Sequence, residues 1–273
     1  MSLGHEHPRL TSHPDQARLN AEFWARGEYV DFYATRDLRP VEAVLLDRFR
    51  TELATRVLEL GCGAGRLTGH LGKIAQEMHG LDISPAMVAH CRQAYPRLTF
   101  SVGDLGDLSQ FDSGSYGAVF ASFNVLDVFD DAERQDVMQG IRRILAPGGL
   151  LIMSSHNRGY APRLPPALRV WIGSARRPLR SLRGLPRRLR NRRRLRRLQH
   201  AENGYAIVND EAHDFAVLHY YISRDAQERQ LSQLGFELIE CLDLDGRVVN
   251  PGAAAAHCPE LHYVARRPLA ASG

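Results

Sequence analysis

Lysine is almost missing from this chain of 273 residues: Lys73 stands alone, and arginine supplies the other basic side chains. A GC-rich genome produces the same bias, so arginine by itself is not a functional signal. Cysteine is scarce as well. Cys62, Cys91, Cys241 and Cys258 show no C-x-x-C spacing, which argues against a disulfide framework and against a cysteine-based zinc site. No apolar run approaches the ~18–20 residues needed to cross a bilayer. The first fourteen residues are polar, carry His5, His7 and His13, and lack the apolar region of a signal peptide or anchor. The expectation is a cytoplasmic enzyme. Internal repeats are absent.

Hydrophobic residues make up 44% and charged residues 24% of the chain, so one large or two small globular domains with a sizeable core are expected. The charge is unevenly spread. Between Arg158 and His200 there are fifteen arginines and no acid, within a chain whose net charge is only +4. The remainder is therefore acidic.

Helical spacing marks the first fifty-five residues: Leu19, Phe23 and Trp24, then Tyr29, Phe32 and Tyr33 past a break at Gly27, then Val41, Val44, Leu45, Phe49 and Leu53 behind Pro40. From Arg56 the rhythm becomes strand, turn, helix. Expected strands are Val57–Leu60, His79–Asp82, Thr99–Val102, Tyr116–Ser122 and Leu150–Ser154. Ser84-Pro85 caps one intervening helix, and Asp130 or Asp131 starts another that Pro147-Gly148-Gly149 stops. Such alternation means βαβ units and a doubly wound, mainly parallel sheet. Five prolines, Pro162, Pro165, Pro166, Pro178 and Pro186, interrupt any long helix in the arginine-rich stretch. Order returns near Tyr220. A helix over Asp225–Leu234 leads to a sixth strand, Phe236–Leu242, and a last one, Leu261–Ala265. With no helix between them, these two are antiparallel. The expected architecture is an α/β sheet of seven strands with an antiparallel last strand. Residues 1–55 form a helical cap, 56–155 the core, 156–222 a basic insert between strands five and six, and 223–273 the rest of the core.

Ligands of open α/β sheets sit outside the carboxyl ends of the strands. There the first strand offers Gly61, Gly63 and Gly65, which permit a sharp turn and close backbone approach. The second ends in Asp82, placed to accept hydrogen bonds from a ribose diol. Gly103-Asp104-Leu105 follows the third. Glycine, acid and acid in that order point to a nucleoside. A dinucleotide fingerprint requires G-x-G-x-x-G, and Arg66 fills the place of its last glycine.

The run Glu59-Leu60-Gly61-Cys62-Gly63-Ala64-Gly65 instead resembles the E/D-x-G-x-G-x-G motif of class I (Rossmann-like) S-adenosylmethionine-dependent methyltransferases. Leu81–Met87, Gly103–Leu105 and Leu145–Leu151 are similar to three further segments of that family. The resemblance runs over Val57–Ser155 and extends loosely to Phe236–Ala265. It implies S-adenosyl-L-methionine as cofactor and a methyl transfer. It also implies that Gly61, Cys62, Gly63 and Gly65 line the methionine and sugar portions, with Glu59 steadying the loop or a bound water. Asp82 and Ile83 would hold the ribose side, Asp104 and Leu105 the adenine, and Ser122 and Phe123 would lie near the sulfonium. Tyr33 and Arg36 would cover the cofactor from the N-terminal helices.

A hydroxyl acceptor calls for a general base, and His156 and His219 are the candidates, with Asn124 and Asp127 placed to orient the acceptor. No carboxylate cluster argues for a metal, so none is expected. The family's D/N-P-P-Y/F and Pro-Cys motifs for base methylation are missing: Ser122-Phe123-Asn124-Val125 stands at the first place, and Cys258-Pro259 is reversed. The acceptor is therefore expected to be a small molecule, a sugar, secondary metabolite or lipid-linked intermediate, methylated on oxygen or nitrogen. Alternatives are an RNA or protein methyltransferase that docks through the insert, and a non-catalytic cofactor-binding adaptor for a polyanion. In the insert, Leu179, Leu182, Leu185 and Leu189 recur at helical spacing among arginines. That pattern fits a solvated cap whose leucines pack on the domain, a clamp for an anionic acceptor, or a contact with an anionic membrane or polyanion. Oligomeric state is not encoded in any pattern found.

Overall fold

The computed structural model describes residues 15–26, 30–160 and 178–269. The expected break at Gly27, Tyr29, and the part of the insert with Pro162, Pro165 and Pro166 lie outside the described residues.

Four helices precede the sheet: α1 (Asp15–Trp24), α2 (Val30–Ala34), α3 (Pro40–Arg48) and α4 (Arg50–Leu53). Proline at the first position of α3 costs no hydrogen bond there, and the Glu42 carboxylate accepts the Arg39 N–H at 2.8 Å. Strands β1 (Arg56–Leu60), β2 (Glu77–Asp82), β3 (Thr99–Val102), β4 (Tyr116–Ala121) and β5 (Leu145–Asn157) follow. Between them lie α5 (Thr68–Leu71), α6 (Pro85–Ala94) and α7 (Asp131–Ile144). Ser84 caps α6, its Oγ accepting from the Met87 N–H. Asp130 caps α7 and shares a reciprocal capping box with Glu133.

The parallel strands run in the order β3-β2-β1-β4-β5, so the strand order reverses between β1 and β4 and opens the crevice where such folds bind ligands. Both faces are covered. Leu58 and Leu60 pack with Val137, Met138 and Ile141 of α7, while Val57 packs with Val41, Leu45 and Leu53 of the N-terminal helices. On the far edge of β5, β10 (Glu260–Arg266) runs antiparallel, and β9 (Glu237–Leu242) lies antiparallel against it. The expected antiparallel closing pair is present.

The seven-strand expectation is corrected to ten. The insert contributes β6 (His200–Ala201), β7 (Tyr205–Val208) and β8 (His219–Ile222). β8 joins β5 in parallel through His156↔Tyr221 and Asn157↔Ile222, using the edge that β4 leaves free beyond Met153. The β6–β8 meander thus extends the sheet past its carboxyl end. The insert also holds α8 (Pro178–Leu195), followed later by α9 (Arg224–Gln233). The expectation that the prolines interrupt any long helix here fails at Pro178 and Pro186. Pro178 takes the first helical position, and Pro186 lies inside α8, where it removes one backbone bond without ending the helix. Among the described residues, no helix is long and apolar enough to cross a membrane.

Candidate active site

A cavity of about 720 Å³ opens at the carboxyl ends of the parallel strands. One end is built by the turn after β1. Gly61, Gly63 and Gly65 have φ of 66°, 53° and 84°, a region costly for residues with a Cβ. The loop is tied to β2: the Gly61 and Cys62 amides donate to Leu81 O at 2.8 and 3.1 Å. The Gly63 amide donates to Asp82 Oδ2 at 2.8 Å, and the Ser84 amide to Oδ1 at 2.9 Å. Burial nonetheless raises the Asp82 pKa. A Cβ on Gly63 would meet nothing within 4 Å, whereas one on Gly61 would strike Val125 Cγ2 at 2.2 Å. Gly63 therefore presents bare backbone to open space, and Gly61 is forced by packing.

Ile83, Met87, Leu105 and Phe129 line a mostly apolar slot beside Asp82 and Asp104. Asp104 Oδ1 accepts the Gly106 amide at 2.8 Å. Glu59, also on the wall, accepts from Thr68 Oγ1 at 2.5 Å, and complete burial pushes its carboxyl up to about 8. An S-adenosyl group fits this end: open space beside Gly63, two carboxylates and an apolar slot are what its sugar, amine and purine require.

Two candidates are not brought to the cavity. Gly65 is turned away, a Cβ there meeting Tyr95 Cε2 at 2.6 Å. Arg36 is exposed, with its guanidinium 5.9 Å from the Phe123 ring. Tyr33 does line the cavity, edge-on to Phe123 at 5.9 Å.

The centre holds a polar network that sequence reasoning missed. Glu42, fully buried on α3, pairs with Arg66 and accepts from Ser122 Oγ. Burial would raise its pKa, but Arg66, Ser122 and the Arg39 amide hold it down at about 2. Arg39 pairs with Glu260 and lies over the Phe123 ring at 3.9 Å. Phe123 and Asn124 both have left-handed backbones, at φ 61° and 58°. That conformation costs each about 1–2 kcal/mol, and it is held by the Asn124 amide donating to Ser154 Oγ at 2.7 Å and Asn124 Nδ2 donating to Glu260 Oε2 at 2.9 Å. Asn124 Oδ1 is buried with no hydrogen-bond partner among the described residues, an acceptor left over beside the cavity. The Arg39, Glu42 and Arg66 signals were individually unremarkable, since each partner lies on a different element.

The other end contains His156 and His219, 5.0 Å apart between ring centroids. His156 Nδ1 and its own amide both meet Asp127 Oδ2 at 2.7 Å. Asp127 is fully buried, with Oδ1 accepting from Ser155 Oγ at 2.7 Å and Arg134 behind it at 3.5 Å. Asp127 thus aims His156 rather than reaching into the cavity. Burial pulls the His156 pKa down, but Asp127, joined by Asp210 and Glu260, raises it overall. His219 Nδ1 meets Asp210 Oδ2 at 2.9 Å, and Tyr221 donates to the same oxygen at 2.7 Å. Asp210, invisible to sequence reasoning, is pushed down by His219 and Tyr221 against its burial.

His156, Asp210 and His219 have metal-capable atoms within 4.8 Å of one another, a cluster not foreseen when no metal was expected. Its oxygens are already in use: Asp210 Oδ1 accepts the Ala212 amide at 2.9 Å, and Oδ2 serves His219 and Tyr221. The arrangement suits orienting imidazoles more directly than binding an ion.

The roof comes from α1. Asn20 Nδ2 donates to Val128 O at 2.7 Å and Leu218 O at 2.8 Å, and Gln16 Nε2 to Phe129 O at 3.0 Å. These bonds stitch the helix to both cavity ends.

Comparison with known proteins agrees with this geometry. Residues 57–149 match the family model described as a methyltransferase domain. A Mycolicibacterium smegmatis protein named a "probable S-adenosylmethionine-dependent methyltransferase" is 35% identical over 103 residues, 37% of this chain and 38% of that one. A ubiquinone biosynthesis O-methyltransferase of Xanthomonas oryzae is 29% identical over 114 residues, 40% of this chain and 46% of its own length. The chain thus matches less than half the length of either relative. Among solved structures, the 1,6-didemethyltoxoflavin-N1-methyltransferase of Burkholderia thailandensis, with its substrate and S-adenosylhomocysteine bound, superposes at a TM-score of 0.57. It is 14% identical, and the match covers 96% of this chain and 93% of that one. At that identity the likeness is one of fold.

Proposed function

Because residues 57–149 belong to the S-adenosylmethionine-dependent methyltransferase domain family, we propose that this protein methylates an oxygen or nitrogen of a small-molecule acceptor. One observation carries the reading: a single cavity joins the glycine turn and its acids to an imidazole, that of His156, oriented by a buried carboxylate.

When bound, the cofactor supplies a methyl group already activated on a cationic sulfur. The protein's task is then alignment and exclusion of water. The bare backbone at Gly63 admits close approach, and Asp82 and Asp104 would hold the sugar and the purine amine. Phe123, fixed by Arg39, Arg66 and Tyr33 around its ring, walls the centre against water. With Nδ1–H committed to Asp127, His156 offers Nε2 to the acceptor and takes its proton. His219, braced by Asp210 and 5.0 Å from the His156 ring, orients the acceptor from beside it. Relatives named for quinone and heterocycle substrates support a metabolite acceptor.

The test is methyl-labelled S-adenosylmethionine incubated with the protein and fractionated host lysate. Label in small molecules or lipids is the expected result. Label confined to RNA or protein overturns the acceptor class and favours docking of a macromolecule through the arginine segment.

A further inference from the structure

The sequence left open whether the leucines of the arginine-rich segment pack on the domain. Two of those described do not. Leu185 and Leu189, one turn apart on α8, are 47% and 46% exposed. The helix is held along its neighbouring sides. Leu195 is buried with Ile207, Leu218 and Tyr220, and Asn191 Nδ2 donates to Asp214 O at 3.0 Å. Arg188 lies 3.6 Å from Asp214, and Arg188 and Arg192 each stand 5.5 Å from the Phe215 ring. Arg188, Arg192 and Leu195 share one side at helical spacing, Asn191 belongs to the side that lines a cavity with α1, and Leu185 and Leu189 point away from that cavity.

α8 carries eight arginines and no acid between Pro178 and Leu195. The stripe facing the protein absorbs Arg188 and Arg192. Arg187, Arg190 and Arg194 line a cavity against Leu19, Glu22 and Phe23 of α1, whereas Arg193, four residues past Leu189, is exposed on the leucine side. A helix anchored on one side and displaying leucines within arginine on the other has the form of an interfacial helix. Its charge is complementary to anionic headgroups. A nucleic-acid surface would gain nothing from half-exposed leucines, and α8 has no aromatic residue on which bases could stack.

We propose that α8 is a membrane-docking element, which lays Leu185 and Leu189 into the headgroup boundary of an anionic bilayer while its exposed arginines meet lipid phosphates. Docking bears on the site because the segment that α8 grips also reaches the cavity. Ala212 and His213 line that cavity, and Asp214 and Phe215 hold the helix. A protein seated this way has its acceptor end next to the lipid surface.

The experiment is flotation of the full chain with phosphatidylcholine vesicles, with and without phosphatidylglycerol. The expected result is binding that requires the anionic lipid and falls steeply with salt. Leu185→Ser combined with Leu189→Ser should lower the partition coefficient about tenfold or more. Melting temperature and S-adenosylhomocysteine affinity should not change, since neither side chain touches the core or the cavity. Absence of vesicle binding overturns the proposal. Binding that survives the double substitution also overturns it, because the contact would then be electrostatic alone. So does a preference for RNA over vesicles in direct competition.

Discussion

Asp127 holds His156 twice through the same oxygen, Oδ2 lying 2.7 Å from both the backbone amide and Nδ1. The two contacts fix the position of the residue and the tautomer of its ring together, leaving Nε2 as the unprotonated nitrogen of a ring that lines the cavity.

A base of this kind works only when neutral. Its raised pKa means that methyl transfer should climb with pH through a value above the usual histidine 6.5. His156→Ala should lower kcat about 100-fold or more and remove that limb from the pH–rate profile. Asp127→Asn should move the limb to lower pH and, because it leaves buried Arg134 without its counter-charge, also lower the melting temperature. An unchanged profile in both variants would take histidine base catalysis out of the account.

Gly61 and Gly63 share a left-handed backbone and differ in what surrounds them. Gly61→Ala should be the more damaging to stability, because its Cβ collides with Val125 besides the backbone cost of about 1–2 kcal/mol. Gly63→Ala should cost only the backbone term but weaken cofactor binding by filling open space. Thermal melts with and without S-adenosylhomocysteine separate the two effects.

Glu42→Gln should destabilise the protein by about 3–5 kcal/mol, since it leaves the guanidinium of Arg66 buried without its counter-charge. Urea denaturation reads this directly. A loss under about 1 kcal/mol would mean that the pair contributes little.

The Glu59 carboxyl titrates near 8 in the folded protein and near 4.5 when unfolded. Between those values the folded state keeps a proton that the unfolded state has released, so stability falls as pH rises through this window. Glu59→Gln should flatten that part of the curve of melting temperature against pH. An identical slope in wild type and variant would place the titration elsewhere.

Removing metal ions should leave turnover unchanged, because the Asp210 oxygens are already hydrogen-bonded to His219, Tyr221 and Ala212. Loss of activity on chelation, restored by one equivalent of a divalent cation, would instead make the His156–Asp210–His219 cluster a metal centre.

The cofactor end was legible in the sequence because its signals are local. Thr99–Val102 is a strand with the bounds expected, Ser84 caps its helix, and the glycine turn and Asp82 meet by a bond spanning nineteen residues. The acceptor end was legible only in His156 and His219, which both line the cavity. The insert's strands are two to four residues long, too short for alternation to stand out beside so much arginine and proline. Asp210 acquires meaning only once β8 pairs with β5. Glu42 is likewise silent in its helix, since its partner Ser122 lies eighty residues away and nothing in α3 marks one glutamate as buried. Gly65, which matches the glycine pattern, and Arg36, expected to cover the cofactor, are not among the residues that line the cavity.

Calorimetric titration with S-adenosylhomocysteine, on wild type and on Asp82→Ala, tests the central claim most directly. One binding site in wild type and affinity about 100-fold weaker in the variant are expected, the loss of two charge-assisted hydrogen bonds to the sugar. No binding by the folded wild-type protein, or equal affinity in the two, would contradict the assignment of this cavity to the cofactor.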